Sequence, residues 1–187
     1  ADLAAAGGDI TAFAFKPENT TSSSYYTNMD VYMANVSESD LTAGFILPDS
    51  THQFVQVIHT ADFSYADTAW QLHGFDTAFT WDGHSNVLFA VNRQHGTYLN
   101  GVSFAAHTHS ANKMRYLYND GSAYDINTVT AGYTSTTVGD IRLYSCGDAC
   151  TTPVVTALTG DYQSASITAT GNGIAFELVY GTDIASM

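Results

Sequence analysis

Two histidines separated by one residue are the best-spaced candidates for metal chemistry in the chain. Side chains along a β-strand alternate between its two faces, so a strand through His107 and His109 would place both imidazoles on one face. Such a pair binds Zn²⁺ or Cu²⁺ when a third ligand, here His84, His95 or a carboxylate, completes the site. Two ligands do not make a site, and the alternative is that both rings are solvated or hydrogen-bonded.

A loop rich in Asn and Asp is a candidate calcium site. Residues 119–125 read Asn-Asp-Gly-Ser-Ala-Tyr-Asp, and oxygen ligands interrupted by a glycine are what a Ca²⁺ loop needs. We therefore expect Asn119, Asp120 and Asp125 to hold a structural calcium ion. The spacing differs from that of an EF-hand and lacks a closing Glu, so the alternative is a turn built by the Asn and Asp side chains alone.

Tyrosines in the expected loops are candidates for carbohydrate binding, because sugar rings stack on aromatic faces and exposed apolar surface marks binding sites. The alternative for each tyrosine is a partly buried position in a sheet. Trp70 and Trp81 fall in apolar or strand-end positions and are expected to be structural. With polar neighbours that would bond sugar hydroxyls, the expected ligand-binding residues are Tyr65, Arg93, Gln94, Tyr98, Asn100 and Tyr124.

Catalytic motifs are missing from the sequence. It contains no Gly-x-Ser-x-Gly, His-Glu-x-x-His or phosphate-binding loop, and only three Glu. A pair of Asp acting on glycosides stays open, because the separation of two carboxylates is not visible in a sequence. We predict that the chain is not an enzyme, with an accessory domain of a larger secreted hydrolase as an alternative.

The charge balance excludes two classes of partner. Among 187 residues, 18 are Asp or Glu and 5 are Lys or Arg, which gives a formal net charge of -13. Such a surface repels phosphate backbones and anionic lipid, so we expect no nucleic-acid partner. No apolar run reaches the length of a membrane-spanning helix, so membrane insertion is not expected either.

The two cysteines indicate the compartment. Three residues separate Cys146 from Cys150, whereas a redox motif has two intervening residues and a metal site needs further ligands. We expect a small-loop disulfide between them, formed in an oxidising compartment. Together with the scarcity of Lys, this predicts a secreted or cell-surface protein.

The elements that position these residues are predicted to be strands. Helical periodicity is nearly absent, apart from a single turn expected at Ser37–Thr42, and short alternating apolar runs recur between turn sequences such as Asp82-Gly83. This pattern predicts an all-β fold, an antiparallel, jelly-roll-like β-sandwich. The predicted strands are Ile10–Phe15, Met29–Val36, Phe54–His59, Ala69–His73, Val87–Asn92, Val102–His107, Met114–Tyr118 and Val138–Ser145.

The composition changes after the cysteines, which predicts three parts of the chain. The sandwich is expected over residues 1–145, a small disulfide linker over 146–150, and a segment of three strands over 151–187. Three strands alone leave apolar faces and an edge uncovered. The last segment should therefore lean on the first domain, pair with another chain or belong to a longer polypeptide.

The first domain resembles the β-sandwich modules of secreted surface proteins from Bacteroidota, in the neighbourhood of gingipain-type adhesins. The resemblance runs in order through most of the first 145 residues. It implies a secreted, surface-attached, multidomain protein, and adhesin-type relatives that bind structural calcium. The residues that carry it are Gly8–Phe13, Met29–Met33, Trp70–Leu72, Phe79–Gly83, Ser85–Val91, Met114–Gly121 and Asp140–Leu143.

Residues 152–182 resemble the first half of a fibronectin type III domain. Pro153 in an opening strand, Ser164–Thr168 and Phe176–Gly181 carry this resemblance, although the usual tryptophan of the second strand is replaced near Ala169. The sequence therefore predicts a non-catalytic surface module for adhesion or glycan binding, with a glycan or a host or cell-surface protein as partner. The alternative is a structural spacer or assembly subunit whose C-terminal strands pair with a neighbouring β-module or chain, or in a homo-assembly.

Overall fold

A computed structural model describes residues 7–20, 25–93, 102–118, 124–146, 154–160 and 165–170 of the chain. The described residues form strands and no helix, and every strand pair whose register is resolved is antiparallel. The prediction of an all-β, antiparallel fold is thus confirmed. Within the described ranges, no helix is long and apolar enough to cross a membrane.

The chain divides into two compact units, Ala1–Ser145 and Cys146–Met187. The second unit contributes a two-stranded hairpin, β11 (Val154–Gly160) with β12 (Ala165–Thr170). The first unit contains β1 (Gly8–Phe15), β2 (Tyr25–Val36), β3 (Val55–Ser64), β4 (Gln71–Trp81), β5 (Asn86–Arg93), β6 (Ala106–Thr108), β7 (Met114–Tyr116), β8 (Tyr133–Ser135), β9 (Thr137–Gly139) and β10 (Ile141–Cys146).

Two three-stranded sheets make up most of the first unit, in the orders β10-β1-β4 and β3-β2-β5. Their buried side chains belong to one core cluster, as expected for the two layers of a β-sandwich. Two short ribbons, β6-β9 and β7-β8, accompany them. The jelly-roll connectivity and the fibronectin-like character of the last segment stay predictions.

The alternation of β2 correctly predicts its core-facing side. Met29, Val31 and Met33 are all buried in the core cluster. The opposite face is also largely covered, because Asp30 is 2% exposed and Ala34 is fully buried. Strand β2 therefore lies at the centre of its sheet with contacts on both faces, flanked by β3 and β5.

Phe13 on β1 lies at the centre of an aromatic cluster that joins the two sheets. Its ring meets Phe15 at 5.2 Å and Phe89 of β5 at 4.9 Å, both edge to face. It also contacts Phe63 of β3 at 5.9 Å. Edge-to-face pairs add to the free energy gained by burying the rings.

Three predicted segments differ from the structure because their side chains and backbone have other partners. The run Val102–His107 becomes a strand only from Ala106, because the N–H groups of Val102 and Ser103 donate to the side chains of Tyr26 and Asn19 instead of to a neighbouring strand. Val138–Ser145 is split at Asp140, whose N–H donates to Ala105 O at 2.7 Å. Ser37–Thr42 forms no helical turn.

The carboxylate of Asp40 instead accepts the Thr42 N–H at 2.9 Å, and the Leu41 N–H donates to Asn112 O at 2.7 Å. These two backbone N–H groups therefore bond to partners outside a helical turn. The segment therefore forms bends next to Asn112 instead of a turn of helix.

The turn at Asp82-Gly83 forms as the sequence predicts. Gly83 has φ +80°, a left-handed conformation that glycine adopts without steric penalty. The Asp82 carboxylate accepts hydrogen bonds from the hydroxyl and the N–H of Ser85 and from the N–H of His84, which lower the pKa of Asp82 to about 2. The Trp81 indole N–H closes the turn on Ser85 O at 2.8 Å.

His73 of β4 is the polar member of the aromatic cluster. Its ring lies 4.2 Å from Phe63 and 4.9 Å from Phe13, and its Nε2 atom is buried with no hydrogen-bond partner among the described residues. Burial lowers the pKa of His73, because the protonated ring would be charged in an apolar environment. Burial therefore favours the neutral form of His73 in the folded state.

His73→Phe should raise the free energy of unfolding by about 1 kcal/mol at pH 7, because it removes a buried polar atom without a partner. A group whose folded pKa is lowered destabilises the fold as pH falls, since the unfolded chain takes up the proton first. Urea unfolding of the variant between pH 7 and pH 5 should therefore show a smaller loss than the parent. Identical pH profiles would contradict a buried neutral histidine.

Candidate functional site

The candidate site has two parts on the first unit. We call Asp30, Gln56, His59, Thr60 and Asp76 the polar cluster, and Tyr116, Tyr118 and Tyr133 the tyrosine row. The polar cluster begins on the face of the β3-β2-β5 sheet opposite to that of Val31 and Met33. The tyrosine row lies on and next to the β7-β8 ribbon.

Irregular pairing between β2 and β3 creates the polar cluster. The register of the two strands shifts three times between Tyr26 and Tyr32. Asn28 and Thr60 have φ angles of +54° and +50°, and such a value in a β-branched residue is an outlier. Backbone strain of this kind persists only where the surroundings enforce it, and it concentrates at functional sites.

Asp30 is the buried centre of the polar cluster. Its Oδ1 atom accepts the Thr60 N–H at 2.8 Å and the Gln56 side-chain amide at 3.0 Å. A buried carboxylate needs such donors, because burial removes its hydration. The strained conformation of Thr60 thus makes a hydrogen bond possible, since it directs the Thr60 N–H at Asp30.

His59 is the solvent-exposed member of the polar cluster. Its side chain is 75% exposed, and its Nδ1 atom lies 2.7 Å from Gln56 Nε2 and 3.5 Å from Asp30 Oδ1. Because the Gln56 amide donates, Nδ1 accepts and the neutral ring carries its proton on Nε2. The His59 N–H donates to Asp76 Oδ2 at 2.9 Å, which fixes the backbone. The exposed edge of the imidazole is therefore a hydrogen-bond donor held in place.

The tyrosine row follows from strand geometry. Tyr116 and Tyr133 are directly opposite in the β7-β8 pair, and Tyr118 follows Tyr116 at the next position on the same face. Tyr133 lies 5.7 Å from Tyr118 with the rings 15° apart, and 5.6 Å from Tyr116 with the rings 30° apart. Tyr118 is 70% exposed and Tyr133 54%. The result is a row of nearly aligned rings at the surface.

Tyr124 connects the two parts. Its hydroxyl donates to Tyr118 O at 3.2 Å, and its own carbonyl accepts the Asn92 side-chain amide at 3.2 Å. Asn92 is the direct cross-strand partner of Asp30. The polar cluster and the tyrosine row are thus joined through Asn92 and Tyr124 by consecutive contacts.

Two carboxylates govern the electrostatics between the two parts. The pKa of Tyr32, next to the polar cluster on β2, is raised by burial, then by the negative charges of Asp30 and Asp125. The hydroxyl of Tyr32 is therefore protonated at neutral pH and able to donate. The local field is negative, in keeping with the net charge of the chain.

The structure brings some of the predicted ligand-binding residues to this surface. Tyr124 belongs to it, and Arg93 lies at the end of β5 beside Asn92. The prediction for Tyr65 is wrong, because Tyr65 is 3% exposed and packs edge to face against Phe104 at 5.0 Å. Its ring completes the core. Gln94, Tyr98 and Asn100 lie outside the described residues.

The predicted metal ligands are only partly described. Asp125 forms a turn in which its Oδ1 atom accepts the Asn127 backbone N–H at 2.9 Å, and bonds to Asn127 lower the pKa of Asp125. Asn119 and Asp120 lie outside the described residues, as do Cys150 and the side chain of Cys146. The calcium site and the disulfide therefore stay predictions.

The histidine pair is close together but does not gather a ligand set. The rings of His107 and His109 are 4.4 Å apart, and His107 Nδ1 lies 2.5 Å from Asp140 Oδ1. Across the described ranges, no group of three or more His, Cys, Asp or Glu is arranged to hold a metal ion. The contact of His107 with Asp140 thus agrees with the alternative that this ring is hydrogen-bonded and does not bind a metal.

Sequence reasoning missed most of this surface. Tyr116 and Tyr118 carry an alternation signal, but that signal predicts a strand without telling which face is exposed. Asp30 and His59 lie within predicted strands, where an isolated polar residue looks solvated. Only the bulges between β2 and β3 bring their side chains together.

Comparisons of the chain with models of known protein families, with curated proteins and with solved structures find no match. The resemblances to adhesin-type modules and to fibronectin type III stay predictions, and the case for function depends on the residues of the site itself.

Thr60→Gly should raise the free energy of unfolding by up to about 1 kcal/mol, because glycine adopts a positive φ without a Cβ clash and keeps the N–H that bonds Asp30. Thr134→Gly, at an exposed position of β8 with an ordinary φ, is the control and should lower it by about 1 kcal/mol. Chemical denaturation measures both variants. Equal losses would contradict strain at Thr60.

Proposed function

We propose that this chain is a non-catalytic, secreted module of a bacterial surface protein that binds a glycan through the tyrosine row and the polar cluster. The observation that carries the proposal is the exposure and alignment of Tyr118 and Tyr133. Soluble proteins tend to keep large aromatic rings from clustering at the surface unless the cluster binds something. Adhesion to a glycan-bearing surface is the role that this binding would serve.

Tyrosine suits the apolar face of a sugar ring. A phenol ring offers a broad apolar face with a hydroxyl at its edge, so that one residue both stacks and hydrogen bonds. The row is a surface platform rather than a deep pocket, because its most exposed ring, Tyr118, is 70% exposed. Such a platform fits a run of sugar units better than a single enclosed monosaccharide.

The polar cluster supplies hydrogen bonds at one end of the platform. The Nε2–H of His59 is an exposed donor in a fixed orientation, and Asp76 and Asn92 lie near it on the same surface. Sugar hydroxyls both donate and accept, so a mixture of amide, imidazole and carboxylate groups suits them. These groups would set the orientation and specificity of a glycan stacked on the tyrosines.

The charge of the protein favours a neutral glycan. A net charge of -13 repels sulfated and uronate-rich polymers at a distance. The surface described here adds Asp30, Asp76 and Asp125 to that field. We therefore propose neutral polysaccharides as ligands, with calcium at residues 119–125 and the disulfide of Cys146 with Cys150 as accompanying structural features.

Tyr118→Ala and Tyr133→Ala should each weaken glycan binding about tenfold, because each removes one stacked ring face. Affinity electrophoresis against a panel of neutral and acidic polysaccharides identifies the ligand, and calorimetry with its oligosaccharides measures the loss. Tyr118→Phe keeps the ring and should bind within about threefold of the parent.

The control variant is Leu72→Ala on β4. Leu72 is also an exposed apolar side chain, 57% exposed, but it lies in the β10-β1-β4 sheet and not on the β7-β8 ribbon that carries the tyrosine row. It should leave binding unchanged. No retention on any polysaccharide, or tyrosine variants indistinguishable from Leu72→Ala, would refute glycan binding at this surface.

His59→Ala should weaken binding about fivefold while leaving the unfolding midpoint nearly unchanged, because the ring is mostly exposed and donates one hydrogen bond to the ligand. His84→Ala removes another exposed histidine, in the β4–β5 turn, and serves as the control. A loss of binding in both variants, or in neither, would contradict a role of the polar cluster in recognition.

A further inference from the structure

We propose that the outer edge of β5, with which no described strand pairs, binds an extended peptide by strand addition in a groove that Tyr116 shares with the tyrosine row. The peptide has apolar side chains at alternate positions and one carboxylate. Strand addition combines backbone hydrogen bonds, which supply affinity, with pockets for alternate side chains, which supply specificity. Three features of β5 and its surroundings support this inference.

The first feature is the regularity of the edge. β5 is the last strand of the β3-β2-β5 sheet, and no described strand pairs with its other side. Its eight residues pair with β2 without a register shift, whereas β3, at the opposite edge, has three shifts. Bulges protect edge strands from pairing with other chains, so β3 is protected and β5 is not.

The sequence of β5 adds no other protection. Edge strands are commonly blocked by proline or by charged side chains. Asn86–Arg93 reads Asn-Val-Leu-Phe-Ala-Val-Asn-Arg, so its one charge comes at the very end.

Val91 lies opposite Val31, on the core side of the sheet, yet it is 43% exposed whereas Val31 is fully buried. The sandwich is therefore open beside β5.

The second feature is a groove along this edge. It has a volume of about 540 Å³ and is bounded by β5, by β7, by the ends of β9 and β10 and by the loop of residues 38–46. Its lining is mostly apolar and includes Leu88, Val91, Leu41, Ile46 and Met114. The volume lies within the range of ligand sites. An apolar side chain on every second residue of an added strand would enter this groove.

The third feature is the charge at the rim. Lys113 and Arg115, two of the five basic residues of the chain, line the groove and bond to the carbonyls of Ser39 and Leu41. In the described part of the chain, no carboxylate lies within 4.0 Å of either.

The two acids of the same rim have partners of their own, since Glu38 lies 3.0 Å from His52 and Asp40 accepts the Thr42 N–H. Hydrogen bonds from Thr42, and then the charge of Lys113, lower the pKa of Asp40. Hydrogen bonds to Glu38 and Asp49 outweigh the effect of burial and raise the pKa of His52. A carboxylate in the added strand would pair directly with Lys113 or Arg115, which Asp40, more than 4.0 Å from both, does not do.

The probe is a fluorescein-labelled, amidated heptapeptide, Val-Thr-Val-Glu-Val-Thr-Val. Fluorescence anisotropy with the full chain should show saturable binding. Replacing the central Glu by Lys should weaken it about tenfold, because the lysine would face Lys113 and Arg115. An absence of saturable binding by the Glu peptide, or equal binding by the Lys peptide, would overturn the proposal as stated.

Backbone methylation distinguishes strand addition from simple apolar contact. Neighbouring residues of a strand direct their N–H groups to opposite sides, so only one side of an added strand bonds to β5. N-methylation of the peptide at alternate residues should therefore weaken binding at least tenfold in one of the two possible patterns and by less than about twofold in the other. Equal effects of the two patterns would overturn strand addition.

Val91→Lys should abolish peptide binding, because a lysine on the edge strand places a charge in the groove and blocks pairing. Leu72→Lys, at another exposed apolar position, is the matched control and should bind like the parent. Equal binding by both variants would exclude the groove. The methylated peptides test the unmodified chain, so the result does not depend on the stability of Val91→Lys.

Discussion

The packing of Phe13 between the two three-stranded sheets is the interaction on which the rest of the first unit depends. Its ring contacts aromatic side chains of both layers, among them Phe63 of β3 and Phe89 of β5. β5 is thus held to the core from one face, while no strand in the described part of the chain pairs with its outer edge. Residues of β2 belong to the same core cluster, and the other face of β2 carries Asp30. The groove and the polar cluster both depend on how this one ring joins the sheets.

The sequence predicts those parts of the fold that arise from local periodicity. Alternation identifies β2 and its core-facing residues Met29, Val31 and Met33, and Asp82-Gly83 identifies a turn, because both signals arise from neighbouring residues. The full extent of β4 and the division of Val138–Ser145 into two strands depend on distant partners. No local pattern contains that information.

The candidate site is less predictable for the same reason. Tyr65 and Tyr118 look alike as sequence, yet one completes the core and the other is the most exposed ring of the tyrosine row. The two tyrosines differ in how far other parts of the fold cover their rings, and the sequence around each does not show this. The burial of Asp30 likewise arises from bulges in β2 and β3, which place donors from Gln56 and Thr60 around it.

The few basic residues are used in an unusual way, and this has a consequence for proteolysis. Lys113 and Arg115 bind carbonyls, and Arg142 lies 4.0 Å above the ring of Trp70. All five Lys and Arg lie in a strand or within one residue of one. Proteases cut segments that detach from the fold, and Lys16, Lys113, Arg115 and Arg142 each lie in a strand or next to one. At these four positions, a trypsin-like enzyme would have to open a strand end before it could cut.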